Sequence, residues 1–199
     1  MSVQIAIFAR APVPGAAKTR LIPLLGAEGA ARLHERLVLH AIERALAADI
    51  GAVTLWCAPD SSHPFFAQTG VALADQHGAD LGARMLHAFQ AAEGPLLLIG
   101  ADCPAITPDD LRWCAQALLE GAHSVFLPAE DGGYGLVGAA RPIPQIFGDM
   151  QWGAADVMAQ TRARLTKAGI HWREGRTIWD VDRPEDYARL MAEQLLGPR

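Results

Sequence analysis

The chain has 199 residues, 51% of them hydrophobic and 20% charged, with a formal net charge of −5 at pH 7. That is an ordinary balance for a soluble globular protein able to bury a core in a single domain spanning residues 1–199. No basic block stands out to neutralise a nucleic-acid backbone, and no apolar run approaches a membrane span.

The first residues, Met-Ser-Val-Gln-Ile-Ala-Ile-Phe, lack a basic leader and run straight into a strand pattern, so a cytoplasmic location is expected. Cys57, Cys103 and Cys114 have no zinc spacing and are an odd number, which argues against a disulfide framework.

Val3 to Ala9 reads as the first strand, followed by a loop, Arg10-Ala-Pro-Val-Pro-Gly-Ala-Ala-Lys-Thr-Arg20. After Gly26, Glu28 to Ala48 has helical spacing of Leu33, Leu37, Ile42 and Leu46. Ala52 to Cys57 and Val71 to Ala74 read as strands, with a helix between them over Ser61 to Gln68. Asp80 to Ala92 is a helix with Leu81, Met85, Leu86 and Phe89 on one face.

Leu96 to Ile99 is too short for a helix and suits a central strand buried on both faces. Asp102 then comes where that strand emerges. Thr107 as N-cap and Pro108 at the first helical position start a helix running to Leu119. A strand over Ser124 to Leu127 and a second over Tyr134 to Gly138, antiparallel to the rest, come next. Ile143 to Trp152 connects to a helix over Gly153 to Lys167. Ile170 to Arg173 and Thr177 to Trp179 read as short strands, and Pro184 to Leu196 as the last helix. Alternation of strand and helix predicts right-handed βαβ units and an α/β fold with a mixed, mostly parallel sheet.

Four groups of residues carry chemistry. In the first loop, Arg10, Lys18 and Arg20 with Gly15, beside Ala9, either converge on an anion or form a solvated basic loop, without Walker A spacing. Asp102, Asp180 and Asp182 form a carboxylate set suited to Mg²⁺ or Mn²⁺. Residues at i and i+2 of an extended segment share a face, so Asp180 or Asp182 can meet Asp102, although Asp182 also sits well as a helix N-cap. Gln76, Asp80 and Arg84 lie on a glycine-containing turn that either contacts a nucleotide or simply caps a helix through Asp80. Asp131, Gly132, Gly133 and Tyr134 form a second glycine turn, either a ligand contact or a plain hairpin of the Asp-Gly type. Trp152 lines a site or fills the core. The histidines, His34, His40 and His87 among them, form no metal pattern and read as packing or surface residues.

Phe8-Ala-Arg-Ala-Pro-Val-Pro-Gly-Ala-Ala-Lys-Thr-Arg-Leu21, Gly100-Ala-Asp-Cys-Pro104, Asp131-Gly-Gly-Tyr-Gly-Leu-Val137 and Asp180-Val-Asp-Arg-Pro-Glu-Asp186 occur in that order. Together they resemble the signatures of the bacterial DUF2064 family of glycosyltransferase A-type (GT-A) proteins, some known as arsenosugar-biosynthesis glycosyltransferases. The resemblance implies the nucleotide-diphospho-sugar transferase fold, a Rossmann-like three-layer α/β/α sandwich. It is similar also to small nucleotidylyltransferases, such as the molybdenum-cofactor and 2-phospholactate guanylyltransferases.

On that resemblance, Ala9, Arg10, Gly15, Lys18 and Arg20 would hold nucleotide phosphates, with Arg10, Lys18 and Asp102 catalytic. Asp102 and Asp182 would bind Mg²⁺ or Mn²⁺, and Asp131, Gly132, Gly133, Tyr134 and Trp152 would face a small-molecule acceptor. The implied activity is a transferase moving sugar from a nucleotide-diphosphate donor. One alternative is nucleotidyl transfer from a nucleoside triphosphate to a phosphorylated small molecule, and another is a catalytically inactive nucleotide binder. Glycosyltransferases of this fold usually carry Asp-X-Asp, whereas Asp102-Cys103-Pro104 stands here, closer to the nucleotidylyltransferase pattern.

Overall fold

The computed structural model describes residues 2–197. A seven-stranded sheet runs in the order β3-β2-β1-β4-β6-β5-β7. Its strands are β1 (Gln4–Arg10), β2 (Val53–Ala58), β3 (Ala72–Asp75), β4 (Leu96–Gly100), β5 (Ser124–Pro128), β6 (Tyr134–Ala139) and β7 (Trp172–Glu174). Only β6 is antiparallel to its neighbours, β4 and β5, as the sequence pattern predicts. Helices cover both faces: α1 (Ile22–Ala48), a single turn α2 (Pro64–Ala67), α3 (Leu81–Ala91), α4 (Pro108–Leu119), α5 (Val157–Lys167) and α6 (Pro184–Glu193).

The strand sequences explain the layering. Successive side chains point to opposite faces, so Ile5, Ile7, Leu97 and Ile99 pack under Val38, Ile42, Leu111 and Leu118 of α1 and α4. Ala6, Leu96 and Leu98 face the other way, toward Met85, Phe89, Phe147 and Met158. β4 is therefore buried on both sides, as its unbroken apolar run requires. Thr107 and Asp110 close a reciprocal capping box at the start of α4.

Several expected boundaries move. Gly26, at φ 70° and ψ 165°, interrupts α1, so a single turn precedes the regular helix. The expected helix over 61–68 shrinks to four residues. The helix expected from Gly153 begins at Val157, because residues 153–156 wrap instead around the 131–133 turn, with Met158 N donating to Gly132 O. The strand expected over 177–179 is a single parallel bridge between Ala129 and Ile178. Asp182 does not cap α6. Arg183 is the N-cap, and Asp186 accepts from the backbone amides of both Asp182 and Arg183. No described helix is long and apolar enough to cross a membrane.

Candidate functional site

Strand order places the site. From β1 the chain moves outward through β2 to β3, then returns by α3 to β4 on the other side of β1. The carboxyl ends of β1 and β4 thus flank a topological switch point, where open α/β sheets leave a crevice for ligands. Phe8 pairs with Gly100 at this end, and Ala101 N donates to Phe8 O at 3.1 Å, so Arg10 and Asp102 emerge side by side. A Cβ on Gly100 would lie 2.5 Å from Asp102 Oδ1, so glycine is what allows the carboxylate to fold back over the strand end.

The first loop closes over the crevice. Ala16 N and Ala17 N both donate to Val13 O, and the chain then turns through Lys18 in the left-handed region, at φ 48° and ψ 46°. For a non-glycine residue that conformation is uncommon and costs energy. It turns the Lys18 side chain inward, where it is 8% exposed and donates to Asp102 Oδ2 at 3.1 Å. Burial opposes the Lys18 charge, but the Asp102 carboxylate and its hydrogen bond outweigh burial and raise the ammonium's pKa. Burial likewise opposes charge on Asp102, and Lys18 holds its carboxyl below the ordinary value.

Asp102 stands between two cavities. One, of about 590 Å³, is lined by Ala9, Arg10, Lys18, His34, Gln76 and Arg84, with Asp182 at its rim. The other, of about 260 Å³, lies beneath Trp152 and Tyr134 and contains Asp131 and Asp180. The Asp180-Val181-Asp182 segment is tied down by Val181 N donating to Asp102 O at 2.9 Å. It is not a regular strand. With Val181 buried in the core beneath it, Asp180 opens onto the smaller cavity and Asp182 onto the larger one. The expectation that both share a face is corrected accordingly.

Asp182 pairs with Arg20, and neither Arg20 nor Gly15 lines either cavity. Asp180 has no cation partner among the described residues. Burial, then the charges of Asp102 and Asp131, push its carboxyl up to about 6.

The remaining sequence candidates divide. Gln76 and Arg84 reach the larger cavity, but both are already engaged. Gln76 Nε2 donates to Trp56 O at 2.8 Å, and Arg84 Nε to Gly78 O at 3.2 Å. Asp80 lines neither cavity and caps α3 by accepting from Ala83 N at 2.8 Å. Asp131, Gly133, Tyr134 and Trp152 do line the smaller cavity. Gly132 does not, because it packs against the backbone of Ala155.

His34 is the residue that sequence reasoning passed over. It lies on the buried face of α1 beside Leu33 and Leu37, and its spacing is that of a core position. Its Nε2 donates to Arg10 O at 2.9 Å, which fixes the backbone of the first loop, while its Nδ1 is buried without a partner. Burial, then the nearby Lys18 and Arg10 charges, lower its pKa, although the hydrogen bond to Arg10 opposes the shift.

The donor set is one of hard carboxylate oxygens and suits Mg²⁺ or Mn²⁺. Burial first, and then more negative charge from Asp102 and Asp131 than Lys18 offsets, raise the Asp180 pKa, and a divalent cation would counter both. Among the described residues no three His, Cys, Asp or Glu side chains converge to hold a metal by themselves. A cation here would therefore need ligand phosphate oxygens or water to complete its shell.

The family described as "Uncharacterized protein conserved in bacteria (DUF2064)" matches residues 41–154. The structure resembles that of a Desulfovibrio desulfuricans G20 protein provisionally named a nucleotide-diphospho-sugar transferase. The two are 31% identical with a TM-score of 0.87, covering 96% of this chain and 87% of the other. A CMP:2-keto-3-deoxy-manno-octonic acid synthetase complexed with CTP is similar at a TM-score of 0.64 and 17% identity, over 98% of this chain and all (100%) of the other. Glucosyl-3-phosphoglycerate synthase from Mycobacterium tuberculosis, in complex with Mn²⁺, UDP and glucosyl-3-phosphoglycerate, is similar at a TM-score of 0.58 and 13% identity, over 98% and 77%. At that identity the last two likenesses concern the fold. No curated protein matches the sequence.

Proposed function

The chain belongs to the DUF2064 family, and from that premise we propose that it is a glycosyltransferase, moving a sugar from a nucleotide diphosphate to a small acceptor. One observation carries this reading: Asp102 divides a cavity lined by Arg10, Lys18, His34 and Arg84 from one whose charged residues are all carboxylates. The first suits a diphosphate and the second does not.

In this reading Arg10 and Lys18 hold the donor's diphosphate and spread its growing negative charge. His34 keeps the first loop in place through Arg10 O. Asp102, with Asp180 or Asp182, would hold Mg²⁺ or Mn²⁺, which when bound supplies further neutralisation of the leaving diphosphate. Asp180 is the better second carboxylate, since Asp182 already pairs with Arg20.

The acceptor hydroxyl oxygen forms a bond to the anomeric carbon. The bond from that carbon to the diphosphate oxygen breaks, and its electron pair leaves on the diphosphate. The hydroxyl proton passes to a carboxylate of the smaller cavity, Asp131 being placed for it, and from there to water.

Support comes from the Desulfovibrio relative's name and from the Mn²⁺ and UDP in the Mycobacterium complex. Nucleotidyl transfer is the second reading. It is favoured by Asp102-Cys103-Pro104 in place of Asp-X-Asp and by the likeness to the CTP-bound synthetase. In that reaction an acceptor attacks the α-phosphorus of a triphosphate and pyrophosphate leaves.

A thermal-shift panel with Mn²⁺ separates the two, because a ligand bound only by the folded state raises the melting temperature. Stabilisation by a nucleotide sugar with triphosphates inert is expected, and stabilisation by a triphosphate alone would overturn the proposal. With the stabilising donor, Asp102→Ala is expected to abolish turnover while circular dichroism stays unchanged.

A further inference from the structure

The smaller cavity has a chemistry of its own. Its wall is apolar, built from Phe8, Met85, Leu98, Val137, Trp152 and Val157. These come from both layers of the sheet's α3 side, and Met85 and Leu98 belong to the packed core behind it. Its charged groups are Asp102, Asp131 and Asp180, and no Lys, Arg or His lines it. Every cation near the switch point is placed elsewhere: Lys18, Arg10 and Arg84 line the larger cavity, and Arg20 pairs with Asp182.

Consider what such a wall accepts. A phosphate or carboxylate entering it would lose its hydration without gaining a cation, and would sit beside Asp180, which has no cation partner among the described residues, and the exposed Asp131. Like charges brought together in this way repel, and desolvation of an unpaired charge adds to the cost. One divalent cation at Asp102 and Asp180 does not reverse the balance, since the donor's own diphosphate brings further negative charge to it. An uncharged hydroxyl, by contrast, can donate to a carboxylate while its carbon body covers the apolar wall. The cavity measures about 260 Å³.

Tyr134 frames the cavity edge-on to Trp152, with ring centroids 6.4 Å apart at 85°. Tyr134 Oη and Trp152 Nε1 are both buried without a hydrogen-bond partner. Burial raises the Tyr134 pKa, so the phenol keeps its proton.

We propose that the acceptor is an unphosphorylated molecule with a mainly apolar body, presenting one hydroxyl to the carboxylates of this cavity. The inference rests on the reading that a donor diphosphate occupies the cation-lined cavity.

The test is a matched pair of probes, 2-phenylethanol and 2-phenylethyl phosphate, titrated into the full chain by ligand-detected NMR. Diamagnetic Mg²⁺ and pyrophosphate are kept saturating, to occupy the cation-lined cavity. The alcohol is expected to bind more tightly by about tenfold or more, which corresponds to about 1.4 kcal/mol. Met85→Lys places a cation in the wall and is expected to reverse the order. Ala154→Lys, at a half-buried position that lines the smaller cavity and not the larger, serves if the buried lysine fails to fold. Equal or tighter binding of the phosphate to the unaltered chain, or binding of neither probe, overturns the proposal. The nucleotide-sugar panel decides the transfer reaction separately. If it fails while the alcohol is still preferred, the reaction falls and the cavity's ligand class stands.

Discussion

Lys18 Nζ donates to Asp102 Oδ2 at 3.1 Å, joining positions 84 residues apart. The pair ties the first loop to the end of the central strand and puts the site's best-buried cation against its central carboxylate. A nucleotide phosphate entering the larger cavity would compete with Asp102 for that ammonium.

Lys18→Ala is therefore expected to weaken binding of the stabilising nucleotide by about 1–3 kcal/mol, the scale of a lost charge-assisted hydrogen bond. Isothermal titration calorimetry with Mn²⁺ present measures it. An unchanged affinity would remove the first loop from the site.

Gly82 tests how the smaller cavity is roofed. A Cβ there would collide with the carbonyl oxygen of Phe147 and lie 2.7 Å from the Trp152 ring. Backbone on one side and a packed indole on the other leave little room to give. Gly82→Ala is expected to destabilise the fold by about 1–3 kcal/mol, as overpacking does, and to shift Trp152 from the cavity. Urea denaturation reads the first effect. Gly94→Ala, where a Cβ meets nothing within 4 Å, is the control and is expected to leave stability nearly unchanged.

Two buried histidines set a pH dependence. His34 and His40 both have pKa values lowered from 6.5, by burial first and then by neighbouring cations, with their backbone hydrogen bonds opposing the shift. The unfolded chain takes up protons near 6.5 while the folded chain resists them. Below that value the unfolded state binds more protons, so stability is lost as pH falls. Denaturation midpoints are expected to drop between about pH 7.5 and about pH 6, and the drop is expected to shrink in a chain carrying both His34→Gln and His40→Gln. Asp180, raised to about 6, works the other way. Its stabilising contribution lies at low pH and is lost as pH rises through about 6, so it offsets part of the drop at the lower end and is shared by the unaltered chain and the double variant.

Much of the fold was legible because local rules and packing agree. Leu96 to Ile99 could be read as a doubly buried strand from its unbroken apolar run, and α4 from Thr107, Pro108 and Asp110. The start of α5 was not legible, since nothing local shows that residues 153–156 pack on Gly132. Asp80 illustrates the same limit from the other side. Its position fits a phosphate site and a helix cap equally, and the Ala83 amide of α3 claims it.

By itself the sequence determined the alternating α/β pattern and the four ordered motifs that mark the family, because each follows from residue type and short spacing. Only the tertiary structure decided how the carboxylates are shared out. Asp180 and Asp182 are two residues apart, yet they face different cavities because Val181 is held to the Asp102 carbonyl. His34 and Met85 likewise carry the spacing of core residues, and both border a cavity. The physical reason is that a cavity's charge and polarity are set by side chains brought together from distant strands and helices, and no spacing along the chain encodes which of them meet.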